Sequence, residues 1–318
     1  MMTTNVPLDP LHLARPNPAR MYDYCLGQYH NFPLDGRAVE TLDTVFPTIR
    51  MVAQANAVFV QRARQFVHDA LGITQMLDIG CGMYVDSPFQ RAVSVDHDPI
   101  VFSFNSQLTS CDPDQTMLLA DLRAPETILA ADAVQILDWT QPIALVLGDV
   151  LPYVLDDADA LASVQHLVAA LPEGSALILS HPWRDGQEEL AESVTATYAT
   201  WDIPYIWRTF DQITAYTAGL ALLAPGIVDV SRWMPARVPG AAPIRPRQPA
   251  AMRGPGGVSG GRCRRQGYGM MSWTDCRWSA VEYHERARPG GLVRLAISVT
   301  PRRYARYPAR HPFPFQRD

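Results

Sequence analysis

From residue 47 to residue 180, short apolar runs of strand length alternate with stretches of helical periodicity, and this alternation restricts the possible folds more than any other feature. Ile49, Val52, Ala53, Phe59, Val60, Ala63, Phe66, Val67 and Ala70 recur at helical spacing, and Gly72 stands where a helix end favours positive φ. Gln75-Met76-Leu77-Asp78-Ile79-Gly80 follows, an apolar run closing on glycine, as a buried strand does when it enters a tight turn. Further strands are predicted at residues 92–95, 116–120, 143–147 and 176–180. Helices are predicted from Asp98, with Pro99 at the first helical position, from Pro125 through Val134, and over residues 157–171. Thr209-x-x-Gln212 predicts a capping box for a helix to Ala218, and residues 226–230 a late strand, so that the core fold is complete near Trp233. Strands and helices interleaved in this way predict an α/β, Rossmann-like fold: a mostly parallel central sheet with helices on both faces.

Two flanking segments differ in character. Residues 1–46 carry Pro16, Pro18, Gly27, Pro33 and Gly36 among aromatic and polar residues, which predicts an N-terminal helical arm or lid made of short turns ahead of a domain spanning 47–234. Residues 235–318 hold 16 arginines against 4 acidic residues, whereas residues 1–234 hold 11 against 28. With 11 prolines and 10 glycines and no helical periodicity, the tail reads as disordered or loosely packed. Only Val293, Leu295, Ile297 and Val299 alternate as a strand would. All basic residues are arginine, so the composition also matches a GC-rich gene read in another frame. No apolar run reaches the roughly 18 residues of a membrane span, and the first 20 residues lack the apolar stretch of a signal peptide. A cytoplasmic protein without membrane attachment is expected. The cysteines are five, an odd number with no C-x-x-C pair and no zinc-type spacing, which predicts free thiols and no structural metal.

The chemistry concentrates at the predicted strand ends. Asp78-Ile79-Gly80-Cys81-Gly82 places two glycines where the backbone can turn sharply and approach a ligand, after a carboxylate able to accept hydrogen bonds. Alone, this pattern also fits a plain strand-to-helix turn. Asp96 ends the next strand, 18 residues on, where a carboxylate can take both hydroxyls of a ribose. Asp121, in Ala120-Asp121-Leu122, can accept from an exocyclic amine of adenine. Each aspartate singly fits a helix cap or a solvated loop equally well; three in order at successive strand ends point to an adenosyl ligand. A dinucleotide is the rival, but its fingerprint needs a third glycine where this chain has Val85.

The chain resembles the bacterial S-adenosyl methyltransferase family, once catalogued as a domain of unknown function, within the class I methyltransferases. The resemblance runs from about Arg15 to Trp233. It rests on Pro18-Ala19-Arg20-Met21-Tyr22-Asp23-Tyr24-Cys25-Leu26-Gly27 with Asn31-Phe32, on Leu77-Asp78-Ile79-Gly80, and on Val95-Asp96-His97-Asp98-Pro99. It continues through Ala120-Asp121-Leu122-Arg123, Val150-Leu151-Pro152-Tyr153-Val154, Ser180-His181 and Pro225-Gly226-Ile227-Val228-Asp229-Val230-Ser231-Arg232-Trp233. It implies a class I methyltransferase fold that binds S-adenosyl-L-methionine through Asp78, Gly80, Gly82, Asp96, Asp121 and Leu122, with the arm and its Tyr22 folding over the site. The chain departs from the family pattern at Gln28-Tyr29-His30 and at Pro152. The stretch from Gly82 to Ala92 is about ten residues shorter, which shrinks to a turn the helix that would aim its N-terminal N–H groups at the ligand.

Methyl transfer from a sulfonium is an in-line displacement of an already activated group, so a base is needed only if the acceptor must lose a proton. His181, Asp149 and Tyr153 lie near strand ends and are candidates for that role, with Tyr22 and His30 behind them; His181 fits a structural cap equally well. The acidic body and the lack of a nucleic-acid module point to a small-molecule acceptor. The alternative is a methyltransferase-fold protein that binds or regulates without catalysis, as the shortened segment after Gly82 would suggest.

Overall fold

The computed structural model describes residues 14–83, 87–233 and 293–296. Among the described residues the arm includes two helices, α1 (Pro18–Cys25) and α2 (Pro33–Val45), both longer than the turns expected. The side chain of Asn17 starts α1 by accepting from the N–H groups of Ala19 (2.9 Å) and Arg20 (3.2 Å), and Pro18 occupies the first helical position. Asp35 ties the arm together, accepting from Arg20 Nε (2.8 Å), Phe32 N (2.8 Å) and Asn17 N (2.9 Å). The long helix α3 (Ile49–Leu71) ends on Gly72 at φ 71°, as expected.

The sheet then develops through β1 (Gln75–Ile79), β2 (Arg91–Asp96), α4 (Pro99–Thr109), β3 (Gln115–Leu119), α5 (Pro125–Leu129), β4 (Ala144–Gly148), α6 (Asp157–Ala170), β5 (Ala176–Ser180), α7 (Glu188–Ala199), α8 (Phe210–Ala215), β6 (Ala221–Leu222) and β7 (Val293–Ala296). Strand order is β3-β2-β1-β4-β5-β7-β6, and neighbouring strands pair in parallel. Chain direction across the sheet reverses between β1 and β4, and in such sheets the crevice beyond the strand ends at that switch is where ligands bind. Alternate residues feed two cores. Leu77, Val93, Leu145, Leu147, Leu177 and Leu179 pack with Val164 and Leu167 of α6. Met76, Ala92, Ala144, Val146 and Ile178 lie under Phe59, Ala63 and Phe66 of α3, together with fully buried Trp233. A third cluster joins the arm (Met21, Val39, Leu42, Phe46) to α7 and residues 203–207.

Four expectations need correction. The helix expected through Val134 stops at Leu129, Ala131 is extended, and a 3-10 turn runs over Asp132–Ile136. Ile128 and Val134 are both fully buried; six residues apart they would sit on different faces of one helix, and the break lets both reach the core. No strand forms at residues 226–230: Gly226, at φ 82°, donates to Leu223 O, and the Asp229 carboxylate turns the chain by accepting from Ser231 N and Oγ. Helix α7 was not foreseen. The sheet is not complete at Trp233, because β7 inserts between β5 and β6. The remaining residues of the tail, with the order proposed for them, lie outside the described residues. Among the described residues, no helix is long and apolar enough to cross a membrane.

Candidate active site

The loop after β1 is shaped by its glycines. Gly80 has φ 72°, and a Cβ there would come within 2.2 Å of Val150 Cγ2, so the turns after β1 and β4 meet at a point that admits no side chain. Gly80 N (2.8 Å) and Cys81 N (3.1 Å) both donate to Val95 O, and Gly82 N donates to Asp96 Oδ2 (3.0 Å). The other Asp96 oxygen accepts from Asp98 N (3.0 Å). Burial pushes the Asp96 carboxyl up, while these N–H groups and nearby His97 pull the other way. Asp98 caps α4 and also takes the amide of Asn17, which clips the arm to the end of β2.

Asp78 and Asp121 are each paired already. Asp78 is buried and faces α3, where Arg64 forms an ion pair with it; desolvation raises this carboxyl and Arg64 opposes the rise. Asp121, beyond β3, receives Arg123 Nε at 3.0 and 3.1 Å and Nη2 at 2.6 Å, and that pairing holds its carboxyl below the usual range. Leu122 buries its side chain in the core and can offer a ligand only its backbone.

On the other side of the switch, beyond β4 and β5, a cavity of about 60 Å³ lies under the arm. It brings together Tyr22, Asp149, Tyr153 and His181, four residues singled out from the sequence, together with Tyr198 and Tyr205, which were not. Asp149 adopts φ 57°, a left-handed conformation in which its backbone N–H reaches Ser180 O (3.2 Å). Its carboxylate makes no hydrogen bond or ion pair among the described residues. Burial alone pushes it up to about 7. Its charge is felt by Tyr22, Tyr153, Tyr198 and Tyr205, whose phenols are all raised, chiefly by desolvation. Tyr198 and Tyr205 stack at 4.3 Å, and Tyr153 leans on Tyr205 at 5.2 Å. Three buried polar atoms of residues lining this cavity, Asn56 Oδ1, Ser180 Oγ and Trp207 Nε1, have no partner among the described residues.

A family model described as S-adenosyl methyltransferase matches residues 5–259. The chain belongs to that family. Its fold and family together make it an S-adenosylmethionine-dependent methyltransferase. Two crystal structures resemble it. One is a DUF574 family protein from Streptomyces avermitilis MA-4680, 31% identical over 71% of this chain and 91% of that one, with TM-score 0.66. The other is a candidate methyltransferase from Thermobifida fusca YX, 28% identical over 73% and 91%, with TM-score 0.65. No curated protein matches the chain.

Within the methyltransferase, the candidate bases separate by geometry. His181 has Nδ1 on Pro182 O (2.8 Å) and Nε2 on Arg208 Nη1 (3.0 Å); burial holds it down to about 3, so it stays neutral with both nitrogens engaged. Tyr153 packs edge-on against Tyr198 at 6.5 Å with its phenol pushed up by burial, and Tyr22 donates to Ala53 O (2.9 Å) while accepting from Asn56. His30 is bound to Asp23 and packs on Phe104, apart from the residues lining the cavity. Asp149 alone among them presents an unengaged carboxylate. The sequence did carry signals for what was missed: Asn56 interrupts the apolar stripe of α3, and Tyr198, Trp201, Tyr205 and Trp207 crowd ten residues.

Proposed function

We propose that this methyltransferase binds S-adenosyl-L-methionine across the turns after β1, β2 and β3 and transfers its methyl group to a small molecule held in the arm-covered cavity, in the cytoplasm. Asp96 takes the ribose hydroxyls, Gly80 and Gly82 admit the ligand close to the backbone, and Asp121 with the Leu122 N–H reads adenine. Gly82 fits this role: the space its missing Cβ would fill meets nothing nearer than Ala19 Cβ at 3.9 Å. The loop's own N–H groups are engaged with Val95 and Asp96, which suits a donor without a pyrophosphate to cradle. When bound, the donor supplies an activated methyl on a positively charged sulfur. Asp78 acts through Arg64, fixing α3 to β1 beside the loop. Tyr22 closes the arm over the cavity, Asp149 accepts the acceptor's proton, and Tyr153 and His181 position the walls around it.

One observation carries this reading: the unengaged Asp149 carboxylate and the glycine loop meet at the same switch point, in contact through Val150 and Gly80. The non-catalytic alternative draws on the lack of a helix between β1 and β2 among the described residues. Calorimetric titration with S-adenosylhomocysteine tests the donor site. Binding is expected, and Asp96→Ala should weaken it by about 1–3 kcal/mol through lost charged hydrogen bonds. No heat from the wild type, or an unchanged dissociation constant in the variant, overturns the assignment.

A further inference from the structure

Beside the Trp207 Nε1 donor and the Ser180 hydroxyl, which can donate or accept, the groups left unmatched at the cavity are acceptors: Asn56 Oδ1 and the Asp149 carboxylate can only accept hydrogen bonds. Buried acceptors without donors mark a place where a donor belongs. Among the described residues no arginine lines the cavity and His181 is neutral there, so none of them supplies a counterion for Asp149. The rings of Tyr22, Tyr153, Tyr198 and Tyr205 line the cavity beside apolar residues such as Met21, Leu42 and Phe46, and aromatic rings near a carboxylate favour a cation.

Resting on the methyltransferase reading above, we propose that the acceptor is an amine that enters as an ammonium ion, is held by Asp149, Asn56 and the tyrosine rings, and is methylated on nitrogen. The ammonium gives one proton to the Asp149 carboxylate. The freed nitrogen lone pair then forms the new C–N bond while the C–S bond breaks and its electron pair stays on sulfur. Positive charge thus passes from sulfur to the methylated nitrogen, which leaves as an ammonium, and Asp149 returns its proton to water. An alcohol fits poorly: its proton is held many pKa units more tightly than an ammonium proton, beyond the reach of a carboxyl acid. A carboxylate acceptor would bring a second negative charge beside Asp149 with nothing to neutralise it.

Propylamine, propanol and propionate, matched in size, are offered to the full chain with methyl-labelled S-adenosylmethionine, and S-adenosylhomocysteine binding is measured in parallel. Label is expected in propylamine alone, tetramethylammonium should compete with it, and Asp149→Asn should cut transfer about 10²–10⁴-fold while homocysteine-product binding changes less than threefold. Asparagine tolerates the left-handed backbone at this position, so the variant keeps the turn. Label in propanol or propionate overturns the proposal. So does intact S-adenosylhomocysteine binding without any competition by tetramethylammonium, a result that needs no variant. If Asp149→Asn loses the homocysteine product tenfold or more, the carboxylate serves the donor's own amino group and the acceptor assignment falls. Failure of the wild type to bind S-adenosylhomocysteine removes the donor reading, and this one with it.

Discussion

The two halves of the site, on either side of the β1–β4 switch, treat their carboxylates in opposite ways, although Arg64 Nε and Asn105 Oδ1 in the first half also lack a partner among the described residues. Around the turns after β1, β2 and β3, the carboxylates are matched from within the protein: Asp78 by Arg64, Asp96 by Gly82 and Asp98, Asp121 by Arg123. Under the arm, Asp149, Asn56 and Ser180 leave acceptors unmatched. A matched half is rigid before its ligand arrives and selects by shape; an unmatched half costs stability until a ligand supplies what is missing.

The contrast is broken most severely at Arg64. Removing it leaves Asp78 as a buried carboxylate without a partner, so Arg64→Met should lower stability by about 3–5 kcal/mol in urea unfolding. Adding Asp78→Asn should recover most of the loss, since an uncharged pair costs far less to bury. A single variant within about 1 kcal/mol of wild type would show that this half is not held by matched charge.

The next largest effect has the opposite sign. The folded state holds the Asp149 proton up to about pH 7, whereas an unfolded aspartate loses it near 3.9. The contribution of Asp149 to stability should therefore be full below pH 4, decline as pH rises through this window, and level off above 7. Asp149→Asn removes the decline: the variant should match wild type near pH 4 and exceed it by about 2–4 kcal/mol at pH 8. Parallel pH profiles of thermal unfolding for the two proteins would refute the claim that this carboxylate is buried without a partner. The same substitution is expected to gain stability and lose transfer.

The matched half was far easier to read from sequence than the unmatched one. Strand ends punctuated by Gly80, Gly82, Asp96 and Asp121 announce themselves by recurring in order at successive apolar runs, although each singly also fits a cap or a turn. Asp149 and Tyr153 were visible for the same reason. Tyr198 reaches the cavity from α7 and Tyr205 from the segment that follows it; the buried face of α7 consists of Ala191, Val194 and Tyr198 among threonines, serine and glutamates, too sparse a stripe to stand out. His181 shows the limit most plainly. Its role is set by Arg208, 27 residues away, whose Nη1 occupies the nitrogen a base would need. No local pattern carries that contact. β7 is separated from β6 by 70 residues, most of them in the tail, so its place in the sheet could not follow from neighbouring order.

The smallest expected effect sharpens the comparison within the matched half itself. Arg123 lies mostly in water, with 63% of its side chain exposed, and Asp121 is 36% exposed, so Arg123→Ala should change stability by less than about 1 kcal/mol. Binding should respond differently. Both Asp121 oxygens are taken up by the Arg123 side chain and its backbone N–H (2.8 Å), and an adenine amine must displace one of these bonds. Removing the guanidinium frees the carboxylate, so S-adenosylhomocysteine should bind a few-fold more tightly to Arg123→Ala. Looser binding would mean that Arg123 itself contacts the nucleoside, and unchanged binding that adenine is read by the Leu122 backbone without Asp121.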